Sequence, residues 1–326
     1  MQVVLTVDTE PSVAGAFVDL QANRPLIHEP VWGEVAGRSE ALGFLIRTLS
    51  RYGLTATFFV ETVHTTHFTA QPMGRYVAAL AEADQDVQLH LHPVWCNFRS
   101  DGNAAGGQIS DNCHEIDENL LVSLIGEGAD QIESWTGQRP TGMRTGNFST
   151  NQGTFTAMRR AGLRYSSNIC AALPATSDPA LNLPGGVHAF DGIVELPVTC
   201  FADRGPVGRG RRRHLQVTAC IFTETKSKLN RLHAVSGVVA VIVTHPFEYL
   251  KSDDYRYTNM RANRMVQGRL EKLCAFLVDN ADRFDTVPLD CAARALTPQS
   301  KSPALVGCPV NAIFRAAQNI VNDRIL

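Results

Sequence analysis

No two of the eight cysteines (Cys96, Cys113, Cys170, Cys200, Cys220, Cys274, Cys291 and Cys308) stand in CxxC spacing, so the sequence carries no sign of a zinc ribbon or a stapled secreted scaffold. Reduced thiols in a cytoplasmic protein are the expectation. Nor is there an uninterrupted apolar run of the roughly 18 residues that a membrane-spanning helix needs. The opening residues, MQVVLTVDTE, lack the basic start and apolar core of a signal peptide, so export by that route is not expected. An excess of one charge sign is also missing. Thirty Lys and Arg stand against 32 Asp and Glu, a formal −2, and no global field draws the chain toward nucleic acid or an anionic membrane. No GxGxxG follows the first apolar run, which removes the main reason to expect a dinucleotide site. With 44% apolar and 19% charged residues among 326, the chain has material for one sizeable core.

What is present alternates between two patterns. Short β-rich runs, mostly too apolar for a solvated sheet, lie at Val3–Val7, Leu54–Val60, Val87–Leu91, Leu163–Ser167, Ile193–Val198 and Val238–Val243. Helical spacing lies between them: Leu42, Leu45 and Leu49, closed by Gly53; Val77 and Leu80; Leu120, Leu121, Leu124 and Ile125 behind an Asp117 cap; Phe155 and Met158 after Thr150; and Met265, Leu270, Leu273 and Leu277. Such alternation predicts an α/β fold of parallel strands with helices outside, because a parallel crossover needs a long connection. An open sheet and a barrel both satisfy it, and the missing glycine fingerprint favours the barrel. The Ser/Pro-containing stretch Thr297–Pro303 divides the chain into a barrel over 1–295 and a linker with helix over 296–326.

In a barrel the active site collects at the carboxyl ends of the strands. Four ends are polar here. Thr6-Val7-Asp8-Thr9-Glu10 offers two carboxylates at i and i+2, on one face of an extended chain. Alone, that pattern is as often a cap or a surface loop as a functional pair. His90 and His92 share a strand face before the Pro93 stop, the spacing by which one strand supplies two nitrogens to a metal. Arg144, within Thr141–Asn147, can orient a carboxylate through a bidentate pair. His245 emerges from the apolar run Val241–Val243 before Pro246, either as a satisfied core histidine or as a general acid.

These four pieces, in this order at strands one, three, four and last, resemble the polysaccharide-deacetylase (NodB-homology) family over residues 1 to about 290. Thr6-Val7-Asp8, His90 with His92, Arg144 with Gly146, and Thr244-His245-Pro246 carry the resemblance. Two departures stand beside it. The family's usual pair of adjacent aspartates is Asp8-Thr9-Glu10 here, and the residue four after His90 is Val94 rather than histidine. The sequence is therefore similar to a divergent branch with Asp-x-Glu and His-x-His elements.

The resemblance implies a distorted (β/α)7-type barrel, NodB-like, with a C-terminal helical extension. It implies one divalent cation, zinc first, with iron, cobalt, manganese or nickel as alternatives, held by Glu10, His90 and His92. Asp8 occupies the family's base position and Glu10 is then the ligand, the reverse assignment being the alternative; Arg144 places the base and His245 protonates the leaving amine. The implied reaction is removal of an N-acyl group from an amino sugar, whether free, nucleotide-linked, lipid-linked or polymeric. Asn147 and Tyr249 lie beside motif residues and are candidate substrate contacts, and Trp95, two residues beyond Pro93, is a candidate stacking face for a sugar or equally an ordinary core tryptophan.

Other polar residues carry less weight. His64, His67, His114, His188, His214 and His233 read as surface or loop residues, with His114 able to reach the site, and Arg209–His214 reads as a solvated loop or, less so, a phosphate contact. Ile313, Phe314, Ala317, Ile320 and Val321 make a helical stripe within Val310–Ile325. It would pack on the barrel, the adopted reading, or serve a homodimer or a peripheral membrane contact. Competing functions are hydrolysis of a small cyclic amide or ureide, and non-catalytic carbohydrate binding. A glycosidase is disfavoured because only one strand end supplies carboxylates.

Overall fold

Seven of the eight residues of strand β1 (Gln2–Thr9) are buried, and their side chains alternate between two different cores. Val3, Leu5 and Val7 join the cluster of Leu42, Leu45, Leu49, Leu270, Leu273 and Leu277. Val4 instead meets Phe59, Val239, Val241 and Val243 in a second cluster. A strand buried on both faces belongs inside a layered or closed sheet, and each such Val or Leu contributes about 1.5–3 kcal/mol by leaving water. The computed structural model describes residues 1–16, 19, 23–98, 109–205, 210–298 and 300–324.

Further strands of the main sheet are β2 (Thr57–Glu61), β3 (Asp86–Leu91), β4 (Gly142–Thr145), β5 (Tyr165–Ser166), β6 (Gly186–Phe190), β7 (Ile193–Glu195) and β8 (Val239–Thr244), and the short strand Asp285–Thr286 also pairs with β1. Strand β1 lies between β8 and β2, parallel to both. From β2 the parallel pairing runs on through β3, β4 and β5 to β7. Strand β6 is antiparallel to β7, and Ser300–Lys301 extends that edge. The expected run Ile193–Val198 is regular only to Glu195, because Pro197 has no N–H to give a ladder.

Irregular chain then curls the sheet toward closure. The Thr199 N–H donates to the Val241 carbonyl at 3.1 Å and the Thr199 hydroxyl accepts from the Val241 N–H at 2.9 Å. Leu215 donates to Thr199 at 2.8 Å, and Val243 donates to Leu215 at 2.9 Å. Thus the α/β, distorted (β/α)7-type barrel expected from the sequence is the architecture observed, its distortion lying at this seam.

The longer helices are α1 (Leu42–Tyr52), α2 (Gln71–Glu82), α3 (Glu118–Thr136), α4 (Gln152–Arg160), α5 (Phe222–His233), α6 (Arg264–Asp279), α7 (Leu289–Ala295) and α8 (Pro309–Arg324). Helix α1 ends at Gly53, whose φ of 62° suits glycine as a left-handed cap. The Asp117 carboxylate accepts from the N–H groups of Asn119 and Leu120, the cap expected for α3. Helix α4 is capped by Asn151, one residue beyond the expected Thr150.

Helix α8 overturns its expected packing. Its polar side is the docked one: Arg315 is buried against Asp203 at 2.6 Å and also pairs with Glu224 of α5. The apolar stripe faces outward, with Ile313 and Phe314 each 59% exposed. A buried guanidinium with two carboxylates fixes the helix's rotation about its axis, because unpairing any member would leave a buried charge. Ile325 lies outside the described residues. Among the described residues, no helix is long and apolar enough to cross a membrane.

Candidate metal centre and active site

The residues that face the helices are apolar along each strand, while those facing inward turn polar toward the carboxyl ends. On β1 the inward series is Val4, Thr6 and Asp8; on β3 it is Gln88 and His90, flanked by the helix-facing Leu89 and Leu91. Arg144 sits one residue after the helix-facing Met143, and His245 continues the inward series Val239, Val241 and Val243. The two-residue period of a strand therefore brings Asp8, His90, Arg144 and His245 to one mouth.

One half of that mouth is tightly partnered. Arg144 has no exposed side-chain surface, and each of its nitrogens donates. Nη1 reaches Asp8 Oδ1 at 2.7 Å and Thr6 Oγ1 at 2.8 Å, Nη2 reaches Ser167 Oγ at 2.7 Å, and Nε reaches the Ser167 carbonyl at 2.9 Å. Its guanidinium carbon lies 4.5 Å from the Phe59 ring centroid and 5.5 Å from that of Phe148. The pair with Asp8 is single rather than bidentate as expected, because Thr6 and Ser167 occupy the remaining donors. Asp8 Oδ2 is thereby left facing His245 Nε2 at 3.7 Å.

His245 is itself positioned. Its Nδ1 lies 2.8 Å from Glu248 Oε1, and Glu248 also accepts from Thr244 at 2.7 Å and from Gln216. Burial alone would lower the pKa of His245, but the Glu248, Asp8 and Glu10 carboxylates outweigh it and bring the value up to about 9.

The other half holds three ligand atoms that converge. Glu10 Oε2 lies 3.0 Å from His90 Nε2 and 2.6 Å from His92 Nε2. Among the described residues this trio is the one His/Cys/Asp/Glu group whose ligand atoms all fall within 4.8 Å of one another. The opposite nitrogens are also engaged: His90 Nδ1 with the Arg144 carbonyl at 2.8 Å, His92 Nδ1 with Asp111 Oδ1 at 2.9 Å. Such outer partners fix the tautomer of a ligating imidazole and leave its Nε2 free for an ion. Burial pushes the Glu10 carboxyl up, yet the His92 charge and hydrogen bonds from both imidazoles hold it well below the usual carboxylate range. Burial likewise opposes a charge on His92, but Glu10 and Asp111 raise its pKa well above the ordinary value. A proton shared in this way occupies a place suited to a divalent cation, and two imidazoles with one carboxylate fit zinc or its first-row neighbours.

Glu10 and His92 of the trio open into a pocket of about 480 Å3 whose wall includes Pro11, Val13, Pro30, Phe247 and Tyr257. Asn147 is exposed at the rim, with a φ of 56° that asparagine tolerates, and donates to Asp111 at 2.8 Å. Trp95 borders the same pocket but is only 2% exposed, its ring packed by Phe68 and Phe98, so the expected stacking surface for a sugar is already covered. Tyr249 is fully buried, its hydroxyl 2.9 Å from Thr244, and presents no surface to a substrate. It is a packing residue, contrary to expectation.

Several other expectations change. His114 does not reach the site: its carbonyl accepts from Asn151 and its Nε2 lies 3.6 Å from Glu115. His64 is buried rather than exposed and pairs with Glu61 at 2.7 Å. Arg209 lies outside the described residues, but Arg212–His214 is a strand paired with Cys200–Ala202, and Arg213 binds Asp203 at 3.0 Å. Asp111, Glu248, Ser167 and Tyr257 had no sequence signal, since none stands at strand spacing from a motif residue.

No family model matches the sequence, and no curated protein matches it either. Solved structures do. A Mycobacterium smegmatis protein assigned as a polysaccharide deacetylase has a TM-score of 0.54 and 18% identity, over 94% of each chain. A family 4 carbohydrate esterase from Streptomyces lividans, in complex with acetate, is 13% identical over 93% of this chain and 97% of its own, with a TM-score of 0.41. The peptidoglycan N-acetylglucosamine deacetylase Bc1960 is 12% identical over 93% and 90%, with a TM-score of 0.44. At such identities the first likeness establishes the fold, and the other two add nothing to it. The fold is the NodB-like barrel of polysaccharide deacetylases.

Proposed function

We propose that this chain is a metal-dependent hydrolase that removes an N-acyl group, acetyl in the first instance, from an amino sugar of surface-polysaccharide metabolism. The observation that carries this reading is the convergence of Glu10, His90 and His92 beside an Arg144-held Asp8 and a Glu248-held His245. His90 Nε2, His92 Nε2 and a Glu10 oxygen would hold one divalent ion, zinc first. Such an ion, when bound, polarises an amide carbonyl and lowers the pKa of a water.

The chain's own groups supply the proton transfers. Asp8 Oδ2, its partner oxygen fixed on Arg144, accepts the proton of the attacking water. Arg144 holds that carboxylate still, since its other donors are anchored on Thr6 and Ser167. His245, kept protonated by Glu248, delivers a proton from Nε2 to the leaving nitrogen, so that the amine departs instead of an amide anion. Glu10 lies between both imidazoles while Asp8 lies on Arg144, a division that supports Glu10 as ligand and Asp8 as base. Asn147 at the rim is the candidate contact for the acyl or sugar portion.

A second reading rests on the apolar wall of Pro11, Val13, Pro30 and Phe247, which also suits a compact cyclic amide or ureide. The test is acyl release by the metal-replete full chain from free, nucleotide-linked, lipid-linked and polymeric N-acetyl amino sugars, beside ring opening of cyclic ureides. Equimolar acetate and amino sugar from any sugar arm, lost on chelation and regained with zinc, is the expected result. Ring opening without acetate release favours the second reading. Sugar binding with neither reaction favours a carbohydrate-binding protein.

A further inference from the structure

Cys170 and Cys200 lie away from the metal trio, yet they are placed as a pair. Cys200 opens the strand Cys200–Ala202 and stands opposite His214 across the antiparallel pairing. Cys170 follows Asn168 and Ile169, whose backbone N–H groups donate to the buried Glu195 carboxylate at 3.1 and 2.9 Å. These anchors bring the two sulfurs to 3.9 Å of one another, against about 2.05 Å for a bonded pair. Cys170 also borders a cavity of about 440 Å3, shared with Phe148, Thr150, Leu173, Asn182 and Arg212, which gives a small solute an approach.

The two thiols are placed differently: Cys170 borders the cavity, whereas Cys200 does not line it and its Sγ donates to the Val198 carbonyl at 3.3 Å. Cys170 is held well below the usual thiol range, first by the hydrogen bond from Cys200, with burial opposing and His214 assisting. Cys200 is raised by the same bond and by burial. By contrast burial pushes Cys220 and Cys274 up to about 12. An attacking thiolate beside a thiol that keeps its proton is the arrangement that thiol oxidation requires.

We propose that Cys170 and Cys200 form a peroxide-oxidisable dithiol, a modification site separate from the metal corner. The Cys170 sulfur attacks one oxygen of hydrogen peroxide, the O–O bond breaks, and the leaving hydroxide becomes water with the proton that the Cys170 thiol gave up, leaving a sulfenic acid. The Cys200 sulfur then attacks the Cys170 sulfur, the S–S bond forms, and the S–O bond breaks with release of a second water that takes the Cys200 proton. Two thiols are oxidised and one peroxide is reduced to two waters. Cys200 follows Thr199, which clasps Val241 of β8 from both its N–H and its hydroxyl, so bond closure acts at the barrel seam.

The test treats the full chain with a small excess of hydrogen peroxide, blocks remaining thiols under denaturing conditions and maps all eight cysteines by mass spectrometry. The expected product lacks two hydrogens, links the Cys170 and Cys200 peptides within one chain, and reverts with a dithiol reductant. Cys200→Ser should leave a sulfenic acid on Cys170 that dimedone captures, whereas Cys170→Ser should leave Cys200 a thiol. Full alkylation of both residues after peroxide, or a disulfide between any other pair, overturns the proposal, and this mapping of the unaltered chain does not depend on the variants folding.

Discussion

On one side of the barrel mouth Arg144 spends its donors on Asp8, Thr6 and Ser167, and His245 leans on Glu248; on the other, a single Glu10 oxygen serves two imidazoles at once. The first half is ordered by hydrogen bonds that the protein makes with itself, in a buried setting where each is costly to lose. The second half is held by a shared proton, which leaves its geometry dependent on what occupies that place. On the proposed function, the difference teaches that base and acid are held in place before anything binds, whereas the metal corner would be completed by its ion.

Substitutions should separate the halves. Asp8→Asn keeps the size of the side chain but removes the base, and about a 10²–10⁴-fold fall in kcat is expected with metal content unchanged. Loss of metal in that variant would transfer Asp8 to the ligand set and erase the division. Arg144→Met leaves buried Asp8 without its hydrogen-bonded guanidinium, so urea unfolding should show about 3–5 kcal/mol less stability. Asp111→Asn weakens the outer hold on His92 and the bond that Asp111 accepts from Asn147. Zinc competition against a chromophoric chelator should read about 10–100-fold lower affinity, with stability little changed. An unchanged affinity would remove Asp111 from the account.

The smallest effect concerns pH. His245 has its folded pKa raised from 6.5 to about 9 in the metal-free chain. Its protonated form therefore stabilises the fold fully below the unfolded value, and the contribution is lost as pH rises through about 9. Glu248→Gln removes the nearest carboxylate and should shrink that loss. Unfolding of the chelated proteins at about pH 6 and about pH 10 measures it, the variant showing the smaller difference between the two. An equal difference in both would mean that Glu248 does not hold the His245 charge.

How much of this was legible in the sequence follows from how local each signal is. Strand periodicity is local, so Asp8 with Glu10 and His90 with His92 could be read as pairs on one face, and Asp117 as a cap. Contacts made across the fold are not. Asp111 lies 19 residues from His92 in the sequence, and Ser167 reaches Arg144 from the neighbouring strand's end. Hydropathy also gives no direction to a helix face: α8 reads as amphipathic, but two buried acids capture Arg315 and turn its apolar stripe outward. Trp95 and Tyr249 illustrate the same gap, since proximity along the chain to a motif does not decide whether a ring faces the pocket or the core.

The central claim is tested most directly by metal stoichiometry together with amide cleavage, measured on the unaltered chain and on His90→Ala/His92→Ala. The account predicts about one divalent ion per unaltered chain, and in the double variant neither bound ion nor acyl release above background. Retention of amide cleavage by a folded double variant, or absence of stoichiometric metal from an unaltered chain that cleaves, would contradict it.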